Sequence, residues 1–164
     1  MLSRIFPKAF DNVFRGHWLG LWLFVPIVLL KLVIGANSII SAREVAASAD
    51  GIPLATFNAA GAEAVVGLFV LLGLFQLLLG LLGAVALIRY RAMIPFLYLV
   101  MLFQMLGNRA LSLLHPISES GTSGTPPGFY IGLGILVATV AGFVLSLLNG
   151  RNSHVPSDQK RPSP

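Results

Sequence analysis

The sequence contains no cysteine and few charged residues. Without cysteine, disulfides, thiolate metal sites and thiol redox chemistry are excluded. Only 10% of the 164 residues are charged and 56% are apolar, whereas a soluble domain carries about 25% charged residues. Six acids and eleven lysines and arginines cannot cover the surface of a soluble globule of this size. The composition therefore predicts that much of the chain lies in lipid.

The excess of positive charge does not indicate a nucleic-acid partner. The net charge is +5 and the pI is about 10.3, but the basic residues do not form one stripe with interleaved aromatic residues. They occur in small groups between long apolar runs, a distribution that orients membrane spans. We therefore expect no nucleic acid among the partners.

Four apolar stretches are long enough to cross a membrane, whose hydrocarbon core of about 30 Å takes about 20 helical residues. In chain order they cover residues 18–40, 64–88, 92–114 and 129–148. Helices are required, because open strand edges in lipid would leave backbone groups without hydrogen bonds. The sequence predicts an all-α membrane protein, a bundle of four transmembrane helices, as a domain over residues 17–150.

The two ends of the chain have different patterns. In residues 1–16, apolar side chains recur at spacings of three and four and basic residues lie largely on the opposite side. This predicts an N-terminal amphipathic helix at the lipid interface. Residues 151–164 contain three prolines and, besides these, one apolar residue, Val155. They are predicted to form a disordered cytoplasmic tail.

The distribution of basic residues predicts the orientation. One side of the membrane would carry eight of them: Arg4, Lys8, Arg15, Arg89, Arg91, Arg151, Lys160 and Arg161. The opposite side would carry two, Arg43 and Arg109. By the positive-inside rule both termini lie in the cytoplasm. The expected location is a plasma membrane or a bacterial inner membrane.

Small residues in the spans predict close helix packing. In lipid, helices associate by van der Waals packing and polar contacts, and small residues let backbones approach. Span two has Gly73 and Gly80 one heptad apart. Span four carries a row of small residues spaced four apart: Gly134, Ala138, Gly142, Ser146 and Gly150. This candidate packing face lies either inside the bundle or against a partner or a second copy.

Polar residues within the spans form a second candidate site. Lys31 lies 13 residues after Trp18, about 20 Å along the helix, and Gln104 lies 12 residues after Ala92, about 18 Å. Both are therefore expected at a similar depth. The predicted outer-half cluster consists of Lys31, Asn37, Glu63, Gln104, Asn108, Arg109 and His115.

Three interpretations of this cluster remain open. It could be an interhelical network that fixes the packing, with Glu63 as the counter-charge of Lys31 or Arg109. It could be an outward-facing cavity for a ligand or a lipid headgroup, or part of an ion or proton pathway. A pathway needs a polar route through the inner half, where only Gln76 is expected.

No catalytic or cofactor site is expected. His17 and His115 are predicted at opposite interfaces, separated by most of about 30 Å, and cannot share a haem. A zinc motif and a P-loop are absent. Ser112 or Ser118 near His115 lacks a clear orienting acid. We therefore expect no metal and no enzymatic activity.

The preferred hypothesis is a non-catalytic accessory, assembly or scaffolding subunit. Besides the lipid bilayer, its partner would be another membrane protein or a second copy, bound through small-residue helix faces. The alternative is a small transporter, or a ligand- or lipid-binding membrane protein, that uses the polar cluster around Lys31.

Overall fold

The fold consists of four long helices, here described in a computed structural model that covers residues 5–7, 11–49, 51–114 and 127–148. The helices are α1 (Trp18–Ile40), α2 (Ala59–Ile88), α3 (Ile94–Leu114) and α4 (Pro127–Leu147). Each is long and apolar enough to cross a membrane, and no strand occurs in the described ranges. The predicted all-α class with four transmembrane helices is confirmed, and the protein is integral to a membrane.

Polar side chains define where the first two helices begin. His17 has an extended backbone, and its Nδ1 accepts a hydrogen bond from the Leu19 N–H. Asn58 does the same for α2, because its side-chain oxygen accepts from the Gly61 N–H at 2.7 Å. Asparagine is among the best residues for this position. As a result α2 begins at Ala59, before the predicted start at residue 64.

Successive helices run in opposite directions, so the start of α1 and the end of α4 lie at the same end of the bundle. We call this the termini end; it holds residues 11–17, residues 89–93 and the end of α4. The His17 N–H donates to the Leu145 carbonyl there, and the Ala92 N–H donates to the Asp11 carbonyl. The opposite, loop end holds residues 41–49 and 51–58. α1 packs most extensively against α2 and also against α4.

The core is concentrated toward the termini end. Phe24 of α1 and Tyr98 of α3 are fully buried, with their rings edge to face and 4.8 Å apart. The Tyr98 hydroxyl donates to the Gly20 carbonyl at 2.8 Å, which satisfies it within the apolar core. The other core residues are Ile27, Val28, Ala86, Ile94, Leu97 and Met101. On α3 every buried residue precedes position 103.

The predicted amphipathic helix over residues 1–16 is wrong for residues 11–16, which are not helical. The Asp11 carboxylate accepts from the Val13 N–H and pairs with Arg15. Such local side-chain bonds compete with helix formation. The Arg15 guanidinium also lowers the pKa of the Asp11 carboxyl. Residues 1–4 and 8–10, like the predicted tail over 151–164, lie outside the described residues.

Candidate functional site

Lys31 links three helices from the middle of α1. Its side chain is buried, with 3% of the residue exposed. Nζ donates to Oε1 of Gln76 on α2 at 2.6 Å and to Oε1 of Gln104 on α3 at 3.0 Å. The structure therefore brings Lys31 and Gln104 together, as their similar depth suggested, and adds Gln76 to them.

Gln76 is the site residue that the sequence interpretation missed. The prediction that placed it in the inner half, apart from the cluster, is wrong, because it binds Lys31. Gln76 lies 12 residues before Ile88, where α2 ends, which is about 18 Å along the helix. Measured from the same end of the bundle, that depth equals the depth of Gln104. Counting span two from this end would have found it.

The two glutamines face Lys31 with their oxygens, because a lysine ammonium only donates hydrogen bonds. Their amide nitrogens therefore carry four N–H donors that no side chain or backbone group accepts within the described part of the chain. No buried side-chain nitrogen or oxygen there lacks a partner. These two amide nitrogens consequently reach the surface of the bundle.

Within the described residues, no carboxylate binds Lys31. The sequence has no aspartate or glutamate between residues 12 and 43, 64 and 118, or 120 and 157. Glu63 pairs instead with Arg43 at the loop end, where both side chains are largely exposed. The prediction that Glu63 neutralises Lys31 or Arg109 is therefore wrong. Lys31 is a buried cation held by neutral partners.

This arrangement predicts unequal losses of stability for two leucine substitutions. Lys31→Leu removes a charge together with its bonds and should lower the free energy of unfolding by no more than about 1 kcal/mol. Gln104→Leu keeps the buried charge but removes an acceptor, and it should cost about 1–3 kcal/mol. Unfolding in SDS-titrated mixed micelles measures both. If Lys31→Leu proves the more damaging, the ammonium is essential to the bundle.

Arg109 forms a separate contact near the start of α4. One guanidinium nitrogen donates to the Phe129 carbonyl at 3.1 Å. The guanidinium carbon lies over the Phe129 ring, 4.2 Å from its centre, a distance typical of cation–π pairs. Arg109 thus ties α3 to α4, and it belongs to a different contact from Lys31.

Lys31 makes no hydrogen bond to the two asparagines of the predicted cluster. Asn37 and Asn108 are exposed. The Ser112 hydroxyl, considered above as a possible catalytic group, donates to the backbone carbonyl of Asn108 at 2.9 Å. His115 and Ser118 lie outside the described residues.

The second half of α3 is scarcely covered by the rest of the described chain. None of residues 103–114 is buried, and a β-carbon added at Gly107 would meet nothing within 4 Å. Residues at spacings of three, four and seven lie on one face of a helix. We define the α3 polar stripe as Gln104, Gly107, Asn108 and Leu111, which have these spacings. The Asn108 side chain has no described partner.

The small-residue row of α4 is divided between the interior and the surface. A β-carbon at Gly142 would collide with the Tyr98 ring, and one at Gly20 would lie 3.0 Å from the Ser146 nitrogen. Gly142 and Ser146 are buried and Ala138 packs beside the core. Gly134 is exposed, with open space around it. Gly150 lies outside the described residues.

The described residues contain no group of three or more histidines, cysteines, aspartates or glutamates that could hold a metal ion. Comparison of the chain with known protein families, curated proteins and solved structures found no match.

Proposed function

We propose that the protein is a non-catalytic accessory or assembly subunit that binds another membrane protein through the α3 polar stripe. The proposal is supported by the exposure of this stripe, none of whose four residues is buried against the described chain. Lipid tails cannot accept hydrogen bonds from Gln104 and Asn108, whereas a helix of another protein can, at about 0.6–2 kcal/mol for each bond. Gly107 lies between them and allows a second backbone to approach closely.

This proposal moves the interface from α4 to α3. The hypothesis from the sequence placed assembly on the small-residue row of span four. Gly142 and Ser146 already pack against Tyr98 and α1 within the chain, so they are not available to a partner. Of the described members of that row, Gly134 has open space around it.

We further propose that the termini end faces the cytoplasm, in a plasma membrane or a bacterial inner membrane. Arg15, Arg89 and Arg91 lie at that end of the bundle, whereas Arg43 lies at the loop end. An excess of basic residues on short cytoplasmic segments is the usual determinant of orientation. Arg89 and Arg91, in the short segment between α2 and α3, would contribute about 1 kcal/mol each at an anionic lipid surface.

Extraction from native membranes in a gentle detergent, followed by sizing and mass spectrometry, tests the assembly role. We expect a stoichiometric partner with the wild type, and its loss with Gly107→Leu. Gly67→Leu is the matched control, because Gly67 of α2 also has open space around it. This control should retain the partner.

A wild-type chain that purifies alone, or only with copies of itself, would contradict the proposal. That outcome would favour the alternative, a small transporter or a ligand-binding protein that uses Lys31. Loss of the partner in both glycine variants would instead indicate a general effect of added bulk.

A further inference from the structure

We infer that Lys31, Gln76 and Gln104 together bind a carboxylate from an acidic residue in the middle of a partner's transmembrane helix. This inference rests on the proposed function, since it requires a helix of another protein on the α3 polar stripe. It adds the chemical identity of the group that this helix must carry.

The polar hydrogens of the three side chains exceed the acceptors around them in the described chain, although each glutamine oxygen keeps one lone pair. The Lys31 ammonium uses two of its three N–H groups on the glutamine oxygens. The amide groups of Gln76 and Gln104 then present N–H groups at the bundle surface. A group that satisfies all of them must be an acceptor, and a negatively charged acceptor also balances the ammonium.

A second copy of the chain does not provide this group at the depth of Lys31. The one acid in its four helices is Glu63, which lies near the start of α2 and pairs with Arg43 at the loop end. Self-association at this site would therefore bring a second ammonium toward the first. Like charges in a medium of low dielectric constant repel strongly. Charge complementarity therefore favours a different protein.

The depth of the site favours a helix over a lipid headgroup. Lys31 lies about 20 Å from the start of α1 along a path of about 30 Å, so roughly 10 Å of hydrocarbon separates it from the opposite headgroups. A lipid phosphate stays at the interface, outside the hydrocarbon. A carboxylate on a membrane helix can reach this depth from the side.

The α3 polar stripe provides the approach. Gly107 lies one turn beyond Gln104 and has no side chain to hold a second helix away. A helix that packs there places residues at the depth of Gln104 beside the glutamine amides. The carboxylate would accept hydrogen bonds from the N–H groups of the glutamine amides. The oxygens of the same amides accept hydrogen bonds from Lys31. The result is a chain of ammonium, amide and carboxylate across the interface.

Synthetic helices in lipid vesicles test this chemistry directly. The probe is a leucine–alanine helix of about 20 residues with one aspartate at its centre, and its matched controls carry asparagine or leucine there. The chain contains no cysteine, so one introduced at the exposed Ala47, in a short helical segment at the loop end, takes a single fluorophore. Energy transfer to a labelled probe then gives the association constant.

We expect the aspartate helix to associate with the wild type about tenfold more tightly than the leucine helix, as two interhelical hydrogen bonds would give. With Lys31→Met the aspartate helix should bind no better than the asparagine helix. The inference is overturned if aspartate confers no advantage, or if its advantage survives in Lys31→Met. It is also overturned if anionic lipid in the vesicles removes the advantage of the aspartate helix. The same holds if the wild-type chain associates with a second copy as tightly as with the aspartate helix.

Crosslinking locates the bound probe. A cysteine at Gly107 should crosslink to a cysteine near the probe's aspartate, and a cysteine at Gly134 should not, although both positions have open space. Preferential crosslinking at Gly134 contradicts the inference. If the probes show no aspartate preference but a native partner is lost with Gly107→Leu, the proposed function stands and the inference fails. If no native partner is found either, both fail.

Discussion

Replacing Gly142 with leucine is expected to lower the free energy of unfolding by about 3 kcal/mol or more, beyond the usual 1–3 kcal/mol for overpacking. A β-carbon at this position already overlaps the hydroxyl and ring of Tyr98. That ring is fully buried against Phe24, and its hydroxyl is bound to the Gly20 carbonyl. It cannot move aside without breaking these contacts. Unfolding in SDS-titrated mixed micelles provides the measurement.

Gly134→Leu is the matched control for this prediction. Gly134 belongs to the same row on α4 but has open space around it, so the free energy of unfolding should change by less than about 0.5 kcal/mol. Adding Tyr98→Ala to Gly142→Leu should restore part of the loss, because it vacates the overlapped volume. A Gly142→Leu chain as stable as the wild type that has lost a partner would show that the row faces outward.

Replacing Gly73 with leucine is expected to separate α1 from α2, at a cost of about 3 kcal/mol or more for overpacking against backbone. A β-carbon at Gly73 would lie 2.9 Å from the Gly35 carbonyl oxygen, and one at Gly35 would lie 2.5 Å from the Leu77 nitrogen. Backbone atoms cannot rotate away as side chains can. Gly73 also lies one turn before Gln76, so its displacement should break the bond from Lys31.

Gly67→Leu tests the same substitution on an open part of α2, where a β-carbon meets nothing within 4 Å. We expect its free energy of unfolding to stay within about 0.5 kcal/mol of the wild type. SDS titration compares the two variants, and crosslinks between cysteines on α1 and α2 report their separation. If Gly73→Leu retains both stability and crosslinks, the close α1–α2 contact does not form.

The helices could be predicted from the sequence because lipid imposes their form. An apolar run of sufficient length has no alternative to a helix when its backbone cannot bond to solvent. The start of α2 required a different signal, the Asn58 cap, since residues 59–63 precede the apolar run that defined the span. At the N-terminus, periodicity favoured a helix through residue 16, but local bonds of Asp11 oppose it.

The site was less predictable because a pattern along one helix does not identify its neighbour. Spacing alone placed Gly134 and Gly142 in one row, yet only Gly142 faces Tyr98. Opposite charge suggested Glu63 as a partner for Lys31, but Glu63 lies at the loop end and pairs with Arg43. Depth counting placed Lys31 beside Gln104 and would have placed Gln76 there too. In lipid, depth proved a better guide than charge.

The separation between the core and the uncovered half of α3 has a consequence for how this protein can change. The buried residues of α3 lie before position 103, whereas the α3 polar stripe lies from Gln104 onward. Apart from Gln104, which binds Lys31, residues of the stripe should therefore tolerate substitution with little effect on folding. If the proposed function holds, a lineage could exchange one partner for another at Asn108 and Leu111 while the same bundle persists.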